Sequence, residues 1–115
     1  MTETELHNES TRWLVLWLEP IGEDRWLKPG ETFRIRSDYT GDEVEFSFHF
    51  RGEESVDKAF FSCVTVWVHN GNPCAEIFDQ DGNAVECGHQ RPVEIARKWE
   101  ADAAASKKRF EERSS

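Results

Sequence analysis

Residues 12–19 read RWLVLWLE. In an extended chain Leu14, Leu16 and Leu18 fall on one face, and Trp13, Val15 and Trp17 on the other. Both faces are apolar, so this strand needs cover on both sides. Pro20 and Gly22 end it.

Downstream, 25–38 (RWLKPGETFRIRSD) holds a Pro29-Gly30 turn and then a strand at about 32–38. Phe33 and Ile35 alternate inward, Arg34 and Arg36 outward. This Pro-Gly-Glu turn feeding an alternating strand is common to many sandwich domains, cupredoxin-like ones among them, an analogy of fold that carries no function. In 38–50 (DYTGDEVEFSFHF), Val44, Phe46, Phe48 and Phe50 share a face, and Glu45, Ser47, His49 and Arg51 share the other. A two-residue turn at Thr40-Gly41 would pair Tyr39 with Asp42, Phe33 with Phe48, Ile35 with Phe46 and Arg36 with Glu45. GEESVDK (52–58) reads as a charged loop.

From Phe60 the chain reads as a three-stranded meander, FFSCVTVWVH, PCAEIFD and AVECGH, joined at Asn70-Gly71 and Asp81-Gly82. Two-residue turns there pair Trp67 with Cys74, Thr65 with Glu76, Cys63 with Phe78, Phe78 with Val85, Glu76 with Cys87 and Cys74 with His89. One face then carries Val64, Val66, Val68, Ala75, Ile77 and Ala84. The other gathers Cys63, Thr65, Trp67, His69, Cys74, Glu76, Phe78, Val85, Cys87 and His89. One extra bulge residue would flip a strand and scatter that set.

Three chemistries compete for this second face. A zinc or copper site would use Cys74, Cys87 and His89, with His69 or Glu76 as fourth ligand, since thiolate and imidazole are what those metals prefer. The Cys-x-His spacing is not a recognised clip, and no second clip stands elsewhere. A nucleophile reading would set Cys74 beside His89, but nothing signals an oxyanion hole. The simplest reading buries the cysteines as small hydrophobes, with Trp67, Phe78 and Val85, beneath a C-terminal helix.

That helix is expected from Pro92 to about 111, in a tail rich in Ala, Glu, Lys and Arg. Ala96, Trp99, Ala103 and Phe110 make its apolar stripe. A competing reading makes 91–95 a further strand. Arg91 and Arg97 read as solvated charges. Trp13, Trp17 and Trp67 are alternatives for an aromatic platform binding sugar or peptide, set against simple burial. DQDGN (79–83) fails the EF-hand pattern and reads as a turn.

The chain has 115 residues, a net charge of -9 and three cysteines. The length favours one domain. The acidic balance argues against nucleic acid and anionic membrane, and it permits a basic protein partner. No run approaches the ~20 apolar residues of a membrane span. The first residues show no secretory signal, and an odd cysteine count fits a reducing compartment, so the expected location is cytoplasmic.

The expected fold is mainly β: an antiparallel β-sandwich of Greek-key or jelly-roll type, about seven strands, with a C-terminal α-helix. Residues 1–10 are expected to be a flexible N-terminus, 11–91 the sandwich, and 92–115 a helix packed on the sheet in the same domain. No cofactor motif is found. The expected function is a small acidic binding or accessory module, non-catalytic, contacting a protein partner. The alternative is the metal protein built on Cys74, Cys87, His89 and His69. A homodimer through the helix or an edge strand is a further contact that the pattern allows.

Overall fold

In the computed structural model, residues 2–39, 46–56, 59–69 and 75–114 are described. The chain is mainly β: the described residues form seven strands in two facing sheets and one C-terminal helix. Strands β1 (Thr2–His7), β4 (Thr32–Ser37) and β7 (Glu76–Phe78) form one sheet in the order β1-β4-β7. Strands β2 (Trp13–Glu19), β3 (Glu23–Leu27), β5 (Phe46–Val56) and β6 (Ala59–Val68) form the other in the order β3-β2-β6-β5. The helix α1 spans Val93–Ser114.

β2 lies inside the four-stranded sheet and is covered on both faces, as its composition requires. Leu14, Leu16 and Leu18 enter the core between the sheets, with Phe33, Ile35, Val64, Val66 and Ile77. Full burial of each such side chain contributes roughly 1.5–3 kcal/mol. Val15 faces the other way into a second core with Trp26, Phe61, Cys63 and Ile95, and Trp13, Trp17 and Trp99 pack against its margin. Trp26 sits at its centre, edge-on to Trp13 at 6.3 Å and to Phe61 at 4.9 Å.

Several expected pairings are replaced. β4 and β5 do not form a hairpin: β4 pairs with β1 and β7, while β5 pairs with β6. Phe33 and Ile35 still share a core with Phe46 and Phe48, but across the sandwich and not along one ladder. The expected Thr40-Gly41 turn lies outside the described residues. β6 and β7 likewise belong to different sheets, so the pairings of Thr65 with Glu76 and Cys63 with Phe78 do not form; the expected partner of Trp67, Cys74, lies outside the described residues. The physical reason is the same in both places. An alternating strand buries its apolar face equally well beside a neighbour or opposite one.

The Asp81-Gly82 turn does form, with Asp79 N donating to Asn83 O at 2.9 Å. Its bridge joins Phe78 to Ala84, one residue from the expected register. That shift exposes Ala84 and buries Val85, the reverse of the expected faces. The 84–89 stretch makes isolated bridges and no strand.

Thr2–His7 form a strand, pairing along β4 from Thr2↔Ser37 to His7↔Thr32. Arg36 of β4 meets Glu3 at 3.3 Å, and Arg34 meets Glu5 at 3.5 Å. The polar composition of β1 suits an edge strand whose outer face is wet. Beyond it, buried Asn8 ties three segments: Nδ2 donates to Arg12 O at 2.8 Å and to Leu27 O at 3.1 Å, and its carbonyl accepts from Gly30 N at 2.8 Å.

Residues 52–56 extend β5 past a bulge between Phe50 and Gly52, so they are strand and not loop. Charged residues are tolerated there because β5 is an edge. One pair departs from the expected antiparallel sandwich: β2 and β6 run parallel, from Trp13↔Phe61 to Glu19↔Trp67. The Pro29-Gly30 turn stands as expected, with Glu31 N donating to Lys28 O at 3.1 Å and Gly30 at φ 84°. A positive φ at that position needs glycine.

α1 begins after Pro92, whose carbonyl accepts from Ile95 N and Ala96 N at 3.1 and 3.0 Å. The competing strand at 91–95 is not formed. Ile95 and Trp99 are the contact residues, whereas Ala103 is exposed, as are residues 100–109 throughout. Phe110's side chain lies outside the described residues. A helix of this length reaches about 33 Å, and among the described side chains only those of its first turns meet the sheet.

Candidate functional site

The stretch VECGHQRP, 85–92, is a clasp along the edge of β3. Gly88 N donates to Asp24 O at 2.7 Å, and Trp26 N donates to His89 O at 3.0 Å. Gln90 Nε2 reaches Trp26 O and Glu31 Oε1, both at 2.8 Å. A parallel bridge joins Arg25 and His89. The clasp thus satisfies backbone groups that an edge strand would leave open.

Its anchor is an ion pair between buried Asp24 and half-buried Arg91. Asp24 is buried, and Arg91 binds it through two nitrogens: Nε to Oδ2 at 2.8 Å and Nη2 to Oδ1. Trp26 Nε1 donates to the same Oδ2 at 2.7 Å. Burial pushes the Asp24 carboxyl up, but hydrogen bonds from Arg91 and Trp26 outweigh it and hold the group below the usual carboxylate range. Arg91 also lies over the Trp99 ring, 5.3 Å from its centroid. Arg91 is therefore a fixed, bidentate partner and not a solvated charge. Gly88 allows the approach: at φ 84°, a Cβ there would stand 3.2 Å from Arg91 Nη2.

The metal-ligand candidates are distributed around this clasp and away from it. Cys87 is exposed, with Sγ 3.7 Å from Asp24 Oδ1. His89 is half-buried against Phe33, ring centroids 5.7 Å apart. His69 lies just past β6, where Nε2 meets Ser47 Oγ. β3 and β2 intervene between His89 and β6, which places about 14 Å of sheet between them. Cys74 lies outside the described residues. Among the described residues, no group of three His, Cys, Asp or Glu side chains is arranged to hold a metal ion. The expected convergence of His69 with Cys87 and His89 depended on a pairing of β6 with β7, which lie in different sheets.

Cys63 is buried in the second core, and burial, with Glu54 nearby, pushes its thiol up to about 12. It remains a thiol at neutral pH and packs as a small hydrophobe. Site-resolved alkylation of the native protein is expected to modify Cys87 and to spare Cys63 until denaturant is added. Equal labelling of both in the folded state would contradict the burial of Cys63.

The outer face of the four-stranded sheet presents a different surface. A cleft of about 340 Å³ is lined by Trp17, Glu19, His49, Arg51, Thr65 and Trp67. Strand register sets these side chains in rows: Trp17, Thr65 and His49 are successive neighbours, followed by Glu19, Trp67 and Ser47. Arg51 enters at the bulge between Phe50 and Gly52, a device that re-aims side chains. Trp99 of α1 leans on Trp17, ring centroids 5.5 Å apart. Of the three candidate platform tryptophans, Trp13 and Trp17 are half-buried, and Trp67 stands 40% exposed.

Sequence reasoning missed Asp24, Arg51 and Glu19. Asp24 gives no local signal because its partner is 67 residues away. His49, on the polar face of β5, is exposed and lines this cleft.

Compared with known proteins, the chain matches no family model, no curated protein and no solved structure. Among the described residues, no helix is long and apolar enough to cross a membrane.

Proposed function

We propose that this chain is a small non-catalytic binding module that contacts a protein partner through the outer face of its four-stranded sheet. The observation that carries this reading is Trp67, 40% exposed among Arg51, His49 and Glu19. Tryptophan and arginine are the side chains most often found at the energetic centres of protein interfaces. A ring already held by a sheet loses little freedom on binding. The net charge of -9 supports a basic partner, attracted over a distance that salt shortens. The free thiols Cys63 and Cys87 support a reducing compartment, the cytoplasm.

The test compares capture by the wild-type protein and by the Trp67→Ala, Arg51→Ala double variant. Both positions are exposed, so folding is expected to survive. A specific partner should be retained by the wild type and lose at least about tenfold in affinity to the variant, equivalent to about 1.4 kcal/mol. Capture should also weaken as salt rises. Capture that is insensitive to the double substitution would reject this face as the interface.

A further inference from the structure

The distal half of α1 runs on past the sheet. Residues 100–109 are exposed throughout, while Ile95 and Trp99 make the contact with the second core. A helix that is polar on every side is held by ion pairs one turn apart within it or by a neighbour. Among the described residues, the ion pair along it is Lys98 with Asp102, at 3.4 Å. Beyond that pair the charges are segregated. Glu100 and Asp102 precede the alanine run 103–105, and Lys107, Lys108 and Arg109 follow it. Glu100 and Lys107 share a face two turns apart, about 10 Å along the axis, which is beyond ion-pair reach within one helix.

Arg97, Glu100, Ala104, Lys107 and Glu111 line that face, and all are exposed. It lies about 140° round the helix from Ile95 and Trp99. Read along the helix, its order is basic, acidic, small, basic, acidic. Read backwards, the order is acidic, basic, small, acidic, basic. A copy laid antiparallel therefore sets every charge against its opposite, with Ala104 at the crossing. A copy laid parallel would set like against like. Alanine at the crossing lets two helix axes come close. Residues 100–113 carry as many acidic as basic side chains, although the whole chain has a net charge of -9. The distal helix is thus where two acidic copies can meet with least repulsion.

We propose that α1 pairs antiparallel with α1 of a second copy of this chain. Arg97 meets Glu111 of the other copy, and Glu100 meets its Lys107, each contact occurring twice about the two-fold axis. The inference concerns a different surface from the Trp67 face and does not depend on it.

Exposed ion pairs contribute little singly, and two helices meeting over about 20 Å make a small interface. The dimer is therefore expected to be weak, with Kd between about 10 μM and 1 mM. Sedimentation equilibrium of the full chain across that range measures it. Two double variants at exposed positions carry the test. Glu100→Lys with Glu111→Lys makes the face wholly basic, and Arg97→Glu with Lys107→Glu makes it wholly acidic. Each variant alone should self-associate at least about tenfold more weakly than the wild type. Mixed in equal amounts, the two should associate with each other at least as tightly as the wild type does with itself. The inference is overturned if the wild type is monomeric at about 1 mM. It is equally overturned if either variant self-associates as the wild type does, or if the mixture stays monomeric.

Discussion

Trp26→Ala is expected to lower the unfolding free energy by about 3–5 kcal/mol. For a domain whose total stability is of the order of 5–15 kcal/mol, that is a large share. Trp26 has no exposed surface and holds the second core together through Trp13, Phe61 and Trp99. Truncation leaves a cavity between the sheet and α1, and it also removes the indole donor from Asp24. Trp26→Phe separates the two effects. It keeps most of the packing and loses the hydrogen bond to Oδ2, so a smaller cost of about 1–3 kcal/mol is expected. Urea unfolding of both variants measures this. A cost below about 1 kcal/mol for Trp26→Ala would mean that α1 does not close a core at all.

The second large effect concerns the clasp. Arg91→Ala is expected to cost about 3 kcal/mol at neutral pH, because it strands the buried Asp24 carboxylate without its cation. The pH dependence has a definite sign. In the wild type, the Asp24 pKa is depressed on folding, so its contribution is fully present above the unfolded value of about 3.9 and is lost as pH falls through the lower folded value. In Arg91→Ala, burial acts with the guanidinium gone, and the carboxyl is pushed upward instead. The variant is relieved by protonation, so the stability gap to the wild type should narrow as pH falls from neutral to about 4. Urea unfolding at several pH values measures this. A gap independent of pH would show that Arg91 acts by packing on Trp99 and not through Asp24.

These expectations rest on residues that differ in how far the sequence reveals them. The alternation of RWLVLWLE states that Leu14, Leu16 and Leu18 enter one core and Val15 another, and both cores exist. The valines of β6 and the phenylalanines 46 and 48 are equally legible. Phe50 shares their alternation, yet it is 71% exposed. Whether an inward position is actually covered depends on where the opposite sheet ends, and that is not written in the strand. The Asp81-Gly82 turn was legible, but its loop is one residue longer than a two-residue hairpin register allows. That single residue exchanges the roles of Ala84 and Val85.

The candidate surfaces follow the same division. Trp67 is recognisable as an aromatic on the face opposite the valines. Its neighbours Glu19 and Arg51 come from a parallel partner strand and from a bulged edge strand, and no spacing announces either. Asp24 and Arg91 are ordinary charged residues until the chain brings them together.

By itself, the sequence determined the fold class, the burial of Leu14, Leu16 and Leu18 and of Val64, Val66 and Val68, the Pro29-Gly30 and Asp81-Gly82 turns and the C-terminal helix. Each of these follows from periodicity or turn chemistry within a few neighbouring residues. Only the tertiary structure decided which strands share a sheet, the parallel pairing of β2 with β6, the pairing of β1 with β4, and the Asp24–Arg91 clasp. These depend on contacts between distant segments. An alternating strand fulfils the same burial requirement in either sheet, so its own residues do not choose between them.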